Sequence, residues 1–237
     1  QRASAGDAPL ARYASLGDAL AIHNIVLYVS VNSGMHSVSS ACSTSKSIRA
    51  SAREALSHLR RQTVIYVCGG TNGSTGLGEV QTVECFQPAL GCWLRLPPMH
   101  EKRGGAGAAV HAGKIYICGG FTECSKPVNS AECFNPKAAT WQVLPPMGTA
   151  RGGLSVIVFA GSLCAIGGRD RNRQPLRTIE RLAPSGKAWE MLPPMLVRRF
   201  MPASGVLGDC MYMCGGHGGD SLTALSSVEL YSDPRAV

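Results

Sequence analysis

This sequence is poor in aromatic residues, at 6%, and in charged residues, at 16%. It also lacks a long apolar run. The longest, Ile22–Val31, is interrupted by His23, Asn24 and Ser30, and is too short and too polar to cross a bilayer as a helix, so no membrane partner is expected. The positive balance is not concentrated either. Residues 1–62 hold seven Lys/Arg against three Asp/Glu, and residues 63–237 hold sixteen against twelve, so each part contributes half of the net +8. Nucleic-acid binding would call for a dense basic stripe, so no nucleic-acid partner is expected; a moderate positive field instead favours acidic partners. There is no Cys-x-x-Cys, no phosphate loop and no serine-nucleophile motif, and the six His have no ligand spacing among them. Neither a metal nor a cofactor is expected. What the chain does have is Gly, 28 residues of it, with hydrophobic residues at 45%. That mixture suits many short strands joined by tight turns.

A self-comparison shows a repeat of about fifty residues. Trp93, Trp141 and Trp189 are 48 apart, and Leu-Pro-Pro-Met recurs in step with them at Leu96–Met99, Leu144–Met147 and Leu192–Met195. Four residues after each Met comes an arginine: Arg103, Arg151 and Arg199. Apolar strands end in a glycine pair at Gly69-Gly70, Gly119-Gly120, Gly167-Gly168 and Gly215-Gly216. A glutamate recurs at Glu84, Glu132, Glu180 and Glu229, with Phe86, Phe134, Leu182 or Tyr231 two residues on. Glutamates that return once per repeat are structural rather than catalytic, and are expected to accept hydrogen bonds from buried backbone or from Arg. Each unit reads as four short strands; in the second these are 104–111, 114–118, 128–134 and 140–144, with a tight turn at Ala112-Gly113. The glycine pairs fall where a side chain would crowd neighbouring backbone, and the Trp and Phe residues are expected to seal one sheet against the next.

These marks together resemble the Kelch repeat over about residues 63–233. Within that family they are most similar to the Kelch-like substrate adaptors of ubiquitin ligases, as in Ile115-Tyr-Ile-Cys-Gly-Gly120, Asn129-Ser-Ala-Glu-Cys-Phe-Asn-Pro136 and Thr140-Trp-Gln-Val-Leu-Pro-Pro-Met147. The resemblance implies an all-β fold of four-stranded antiparallel blades in a propeller. It also implies a protein-binding module that is not an enzyme. The family's full-length adaptors carry a BTB-type or F-box module that reaches the ligase scaffold; none is visible here. A propeller enzyme acting on a sugar, an oxidase or an isomerase, is the alternative from a different class. The count falls short of a closed ring: a partial unit at 63–99, complete units at 100–147 and 148–195, and a last unit at 196–233 without its fourth strand. An incomplete propeller is therefore expected, either truncated or completed by other residues, and marginally stable or self-associating on its own. Residues 1–62 carry none of the repeat marks. They are expected to form an irregular, poorly ordered segment, with a short helix near 48–61, where Ile48, Ala52, Ala55, Leu56 and Leu59 share a face.

Of the ten cysteines, Cys68, Cys118 and Cys214 precede a glycine pair, while Cys85 and Cys133 follow the recurring Glu. These are positions for small core residues, reduced, in a cytoplasmic protein. One constellation suggests binding. In a four-stranded meander the loops between strands two and three, and those between strand four and the next blade, lie at the same end. Those loops hold Lys102, Arg103, Lys126, Arg151, Arg169, Arg171, Arg173, Arg198 and Arg199 against Glu101, Glu123, Asp170 and Asp220. The resemblance implies that arginines such as Arg103, Arg151, Arg169 and Arg199 bind acidic peptides in this family. An acidic or phosphorylated protein segment is the expected partner, anchored by these four with Arg171 and Arg173 beside them.

Overall fold

The structure, a computed structural model, describes residues 64–71, 78–88, 90–219 and 223–233. They belong to the unit Thr63–Val237. The readings made for residues 1–62, the short helix included, lie outside the described residues. No described helix is long and apolar enough to cross a membrane.

Four antiparallel sheets follow one another along the chain. Blade 1 holds β1 (Ile65–Cys68), β2 (Val83–Gln87) and β3 (Cys92–Leu96). Blade 2 holds β4 (Gly107–His111) and β5 (Lys114–Cys118), a small hairpin of β6 (Phe121–Thr122) and β7 (Lys126–Pro127), then β8 (Ala131–Asn135) and β9 (Thr140–Leu144). Blade 3 holds β10 (Ser155–Phe159), β11 (Ser162–Ile166), β12 (Ile179–Leu182) and β13 (Trp189–Leu192). Blade 4 holds β14 (Ala203–Leu207), β15 (Cys210–Cys214), a hairpin of β16 (His217–Gly218) and β17 (Thr223–Ala224), and β18 (Val228–Ser232). Among the described residues the first and last sheets have three strands and the middle two have four, and the arc does not close.

The strands of blade 2 start later than the sequence suggests. Gly105 is left-handed, which keeps 104–106 out of the ladder, and β4 opens at Gly107. The Ser130 carbonyl accepts from both the Gly119 N–H and the Arg103 guanidinium, and β8 begins at Ala131. The turns match their chemistry: Ala112 and Gly113, and again Ala160 and Gly161, all have positive φ, as a two-residue hairpin requires.

First strands meet one another, β10 packing against both β4 and β14, so they line the inner side of the arc. Between blades the sheets bury apolar faces. Ile115, Ile117 and Phe134 of blade 2 pack with Val83 and Met99 of blade 1, while Cys118, Ala131 and Met147 of blade 2 pack with Leu154, Val156 and Ala165 of blade 3. The indoles seal these junctions as expected: Trp141 donates to the Pro97 carbonyl and Trp189 to the Pro145 carbonyl, both at 2.8 Å. Trp93 is 53% exposed on the outer side of blade 1.

The eight cysteines whose side chains are described stand as free thiols. Burial pushes the thiols of Cys118 and Cys164 up to about 12, Arg103 and Arg181 respectively opposing the shift, so at pH 8 their thiolate fraction is only about one in ten thousand. Iodoacetamide at pH 8, read by peptide mass spectrometry, is expected to leave Cys118 and Cys164 intact in the folded protein while alkylating half-buried Cys92 and Cys210. In urea all four should label. Stoichiometric labelling of Cys118 before unfolding would contradict this packing.

Candidate functional site: the loop face

The repeat arginines do not reach the loop surface. Arg103 is 2% exposed, and Arg151 and Arg199 are fully buried. Each guanidinium turns inward and bonds within its own blade, though the Nε of Arg151 is buried without a hydrogen-bond partner among the described residues. The Nη1 of Arg103 donates to the carbonyls of Gly119 and Ser130, its Nη2 to the Ser130 hydroxyl, and its Nε to Glu132 at 3.0 Å. Arg151 repeats the pattern on Gly167, Thr178 and Glu180, and Arg199 on Gly215, Ser227 and Glu229. Each glutamate also accepts from the linker ahead of its blade. Gly148 and Thr149 donate backbone N–H groups to Glu180, Leu196 and Val197 do so to Glu229, and the backbone N–H and ring of His100 meet Glu132.

Burial alone would raise the Glu132 carboxyl, but the His100 bonds, with Arg103 beside them, hold it below its ordinary value. Arg151 is lowered by burial against the opposing pull of Glu180. The expectation that Arg103, Arg151 and Arg199 anchor a partner is therefore corrected: they are clamps that tie the incoming linker of a blade to its second and third strands. A peptide arriving at the loops meets none of these three side chains. The expectation for the glutamates holds in blades 2 to 4. For Glu84 the corresponding arginine in the sequence is Arg53, sixteen residues before Gly69 as Arg103 is before Gly119, and it lies outside the described residues.

Arg169 does face the loop end. It follows Gly167-Gly168, in the place taken by Phe121 in blade 2 and His217 in blade 4. These three residues pair through bridges with Gly152, Gly104 and Phe200 respectively, so the strand-two and linker segments meet at one end of the arc. The Phe121 ring occupies the place a side chain at Gly152 would need, and the Phe200 ring that of Gly153. The two rings stand 6.5 Å apart, edge to face, and the Arg169 guanidinium carbon lies 4.8 Å from the Phe121 centroid and 4.7 Å from that of Phe200. Arg169 makes no side-chain hydrogen bond or ion pair to any described residue. A cation held between two aromatic faces keeps its N–H donors for an incoming acceptor. The His217 ring lies 6.4 Å from that of Phe200, and its Nδ1 is buried without a hydrogen-bond partner among the described residues.

Arg171 and Arg173 are exposed on the loop that Arg169 opens. The Asp170 carboxylate accepts from the backbone of Asn172 at 2.8 Å and Gln174 at 2.9 Å, and Arg173 sits at φ +60, so the loop has a set shape. Arg198 is exposed on the linker into blade 4, while Lys102 is paired with Glu123 at 3.0 Å. The basic face is thus narrower than the sequence implies and centres on blade 3. The sequence reading missed Phe121 and Phe200 as the walls around Arg169. It also missed Arg181, buried and bonded to Asp233 and Glu190.

Four-stranded antiparallel blades joined in register, with a loop face at one end, define a repeat β-propeller arc. The Kelch motif family model matches residues 61–100, 102–148 and 150–196, and the chain belongs to the Kelch family. It is a protein-interaction module of the propeller kind. Among solved structures, that of YjhT is similar in fold, with a TM-score of 0.63 at 14% identity, covering 72% of this chain and 64% of that one. This chain therefore spans less than two thirds of that neighbour's length. None of the curated proteins matches it.

Proposed function

We propose that this Kelch arc recognises an acidic or phosphorylated segment of another protein on its loop face, as the substrate-recognition part of a cytoplasmic ubiquitin-ligase adaptor. The observation that carries the reading is the Arg169 guanidinium, wedged between Phe121 and Phe200 with its donors unspent. The rings spare it the entropy cost of being ordered on binding, and they lower its hydration, which strengthens a charge-assisted bond to carboxylate or phosphate. Arg171, Arg173 and Arg198 surround it with positive charge on a rigid loop and linker. Recognition by this surface needs no residue that turns over a substrate.

The test is fluorescence anisotropy with labelled hexaglutamate and with a phosphoserine peptide, at low and moderate salt. Arg169→Ala is expected to weaken binding about 10- to 100-fold, the equivalent of about 1.5–3 kcal/mol for hydrogen bonds to a charged group. Arg171→Ala and Arg173→Ala, being exposed, should lose only a few-fold and mostly at low salt. A turn at the far end, with Asp209→Asn, serves as the control. Equal losses at Arg169 and Asp209 would sink the reading, as would turnover of a sugar by the wild-type protein that Arg169→Ala abolishes.

A further inference from the structure

Two glycines of the repeat give way to large side chains at one place. The pair after the buried arginine is Gly104-Gly105 in blade 2 and Gly152-Gly153 in blade 3, but Phe200-Met201 in blade 4. The backbone does not change with the residue: Gly105, Gly153 and Met201 have φ of 58, 62 and 53. Nor does the bonding. The Gly153 N–H donates to the Gly105 carbonyl and the Met201 N–H to the Gly153 carbonyl, both at 2.8 Å. A long side chain in this left-handed region is strained, and glycine would avoid that cost. The other non-glycine residues with positive φ among the described residues are Ala112, Ala139 and Ala160, in turns at the far end, and Ser125 and Arg173 on the loop face. Of all six, only Arg173 and Met201 have long side chains. Packing does not offset the strain at Met201, which is 55% exposed. Phe200 ties this residue to the anion site. Its ring is one wall around Arg169, and Met201 is its chain neighbour, so at most roughly 14 Å separates the Met201 Cα from the guanidinium. About four residues of extended chain cover that distance.

We propose that Met201 is a specificity residue of the loop face. It selects acidic protein segments that carry an aliphatic side chain within about four residues of the anionic group seated on Arg169. The inference rests on Arg169 being the anchor for that group. The positive charge of blade 3 attracts every acidic chain alike, and contact of an aliphatic side chain with Met201 distinguishes among them. Backbone strain held at an exposed position is a mark of function rather than of packing. An unbranched, polarizable thioether suits the task, because it adapts to aliphatic groups of several shapes.

The probes are fluorescein-labelled hexaglutamate and hexaglutamates in which one Glu is replaced by Leu, each position in turn. Every Leu peptide has a charge-matched twin with Gln in the same place. All are titrated into the full chain and followed by anisotropy. At least one Leu peptide is expected to bind about five- to tenfold more tightly than its Gln twin, as partial burial of one aliphatic side chain allows. Met201→Gly, the residue that blades 2 and 3 use, should abolish that preference with no loss in the thermal melt. Arg169→Ala should weaken the Leu and Gln peptides alike. Leu207→Ser, exposed at the far end, should change neither. Equal affinity within every Leu–Gln pair would overturn the proposal and leave acidic recognition standing. So would a Leu preference that survives Met201→Gly. If hexaglutamate and all the other peptides fail to bind up to about 1 mM, recognition of carboxylates falls and this inference with it. The peptide pairs decide on the wild-type chain alone, even if Met201→Gly misfolds.

Discussion

Arg151→Ala is expected to destabilise the arc by about 3–5 kcal/mol, the cost of breaking a buried pair and leaving the other charge unpaired. The group removed is fully buried and donates to two carbonyls, one hydroxyl and one carboxylate. Glu180 would keep its two linker N–H donors but lose its counter-charge, and the Gly167 and Thr178 carbonyls would lose a common donor. For a single domain such a loss is a large share of the total stability. Urea unfolding followed by circular dichroism measures it. Arg151→Met with Glu180→Gln should recover part of the loss, since the glutamine oxygen still accepts from the linker and no bare charge remains buried. A cost under about 1 kcal/mol for Arg151→Ala would place the pair with surface ion pairs and undo the clamp. Any fall in partner binding by this variant should track its unfolded fraction, whereas that of Arg169→Ala should not.

The repeat was legible because each mark does the same job in every blade. The glycine pairs end second strands where the next blade's backbone approaches, and the Trp positions seal junctions. Loop membership told which end of the arc Arg151 belongs to, but not which way its side chain turns. The clue to its real role was present: Arg103 and Glu132, and Arg151 and Glu180, recur with the same offset of 29 residues. A cation and an anion that return together at a fixed distance are each other's partners. The candidate site lies instead where the repeat breaks. Phe121, Arg169 and His217 share one position, and Phe200 stands where Gly104 and Gly152 stand. Only the structure brings Phe200 of one blade and Phe121 of another to the two sides of Arg169, because sequence spacing carries no information on contacts between blades. Arg181 was a similar break, a charge at the position of Cys85 and Cys133; its partner Asp233 lies 52 residues on, beyond the reach of any local pattern.

Gly119→Ala is expected to cost about 3–5 kcal/mol, more than the same change at Gly113, whose backbone is similar. Two causes add. Gly119 has φ +62, where an L side chain is strained by roughly 1–2 kcal/mol. A Cβ there would also run into the carbonyl oxygen of Arg151, well inside van der Waals contact, with Leu154 and Met147 close behind. That carbonyl cannot retreat freely, because it accepts from Gly120 at 2.9 Å and belongs to the residue whose guanidinium is locked in blade 3. Forced overpacking of this kind costs about 1–3 kcal/mol, and moving the carbonyl also weakens the bond that joins the two blades. Gly113 separates the causes. Its φ is +73, nearly the same, but no atom lies within 4 Å of a Cβ built on it. Gly113→Ala should therefore show the backbone strain alone, about 1–2 kcal/mol. Denaturant midpoints of the two variants, measured side by side, give the difference directly. Equal losses would mean that the glycine pair serves only the turn, and that the approach of one blade to the next at Arg151 has slack the packing does not show.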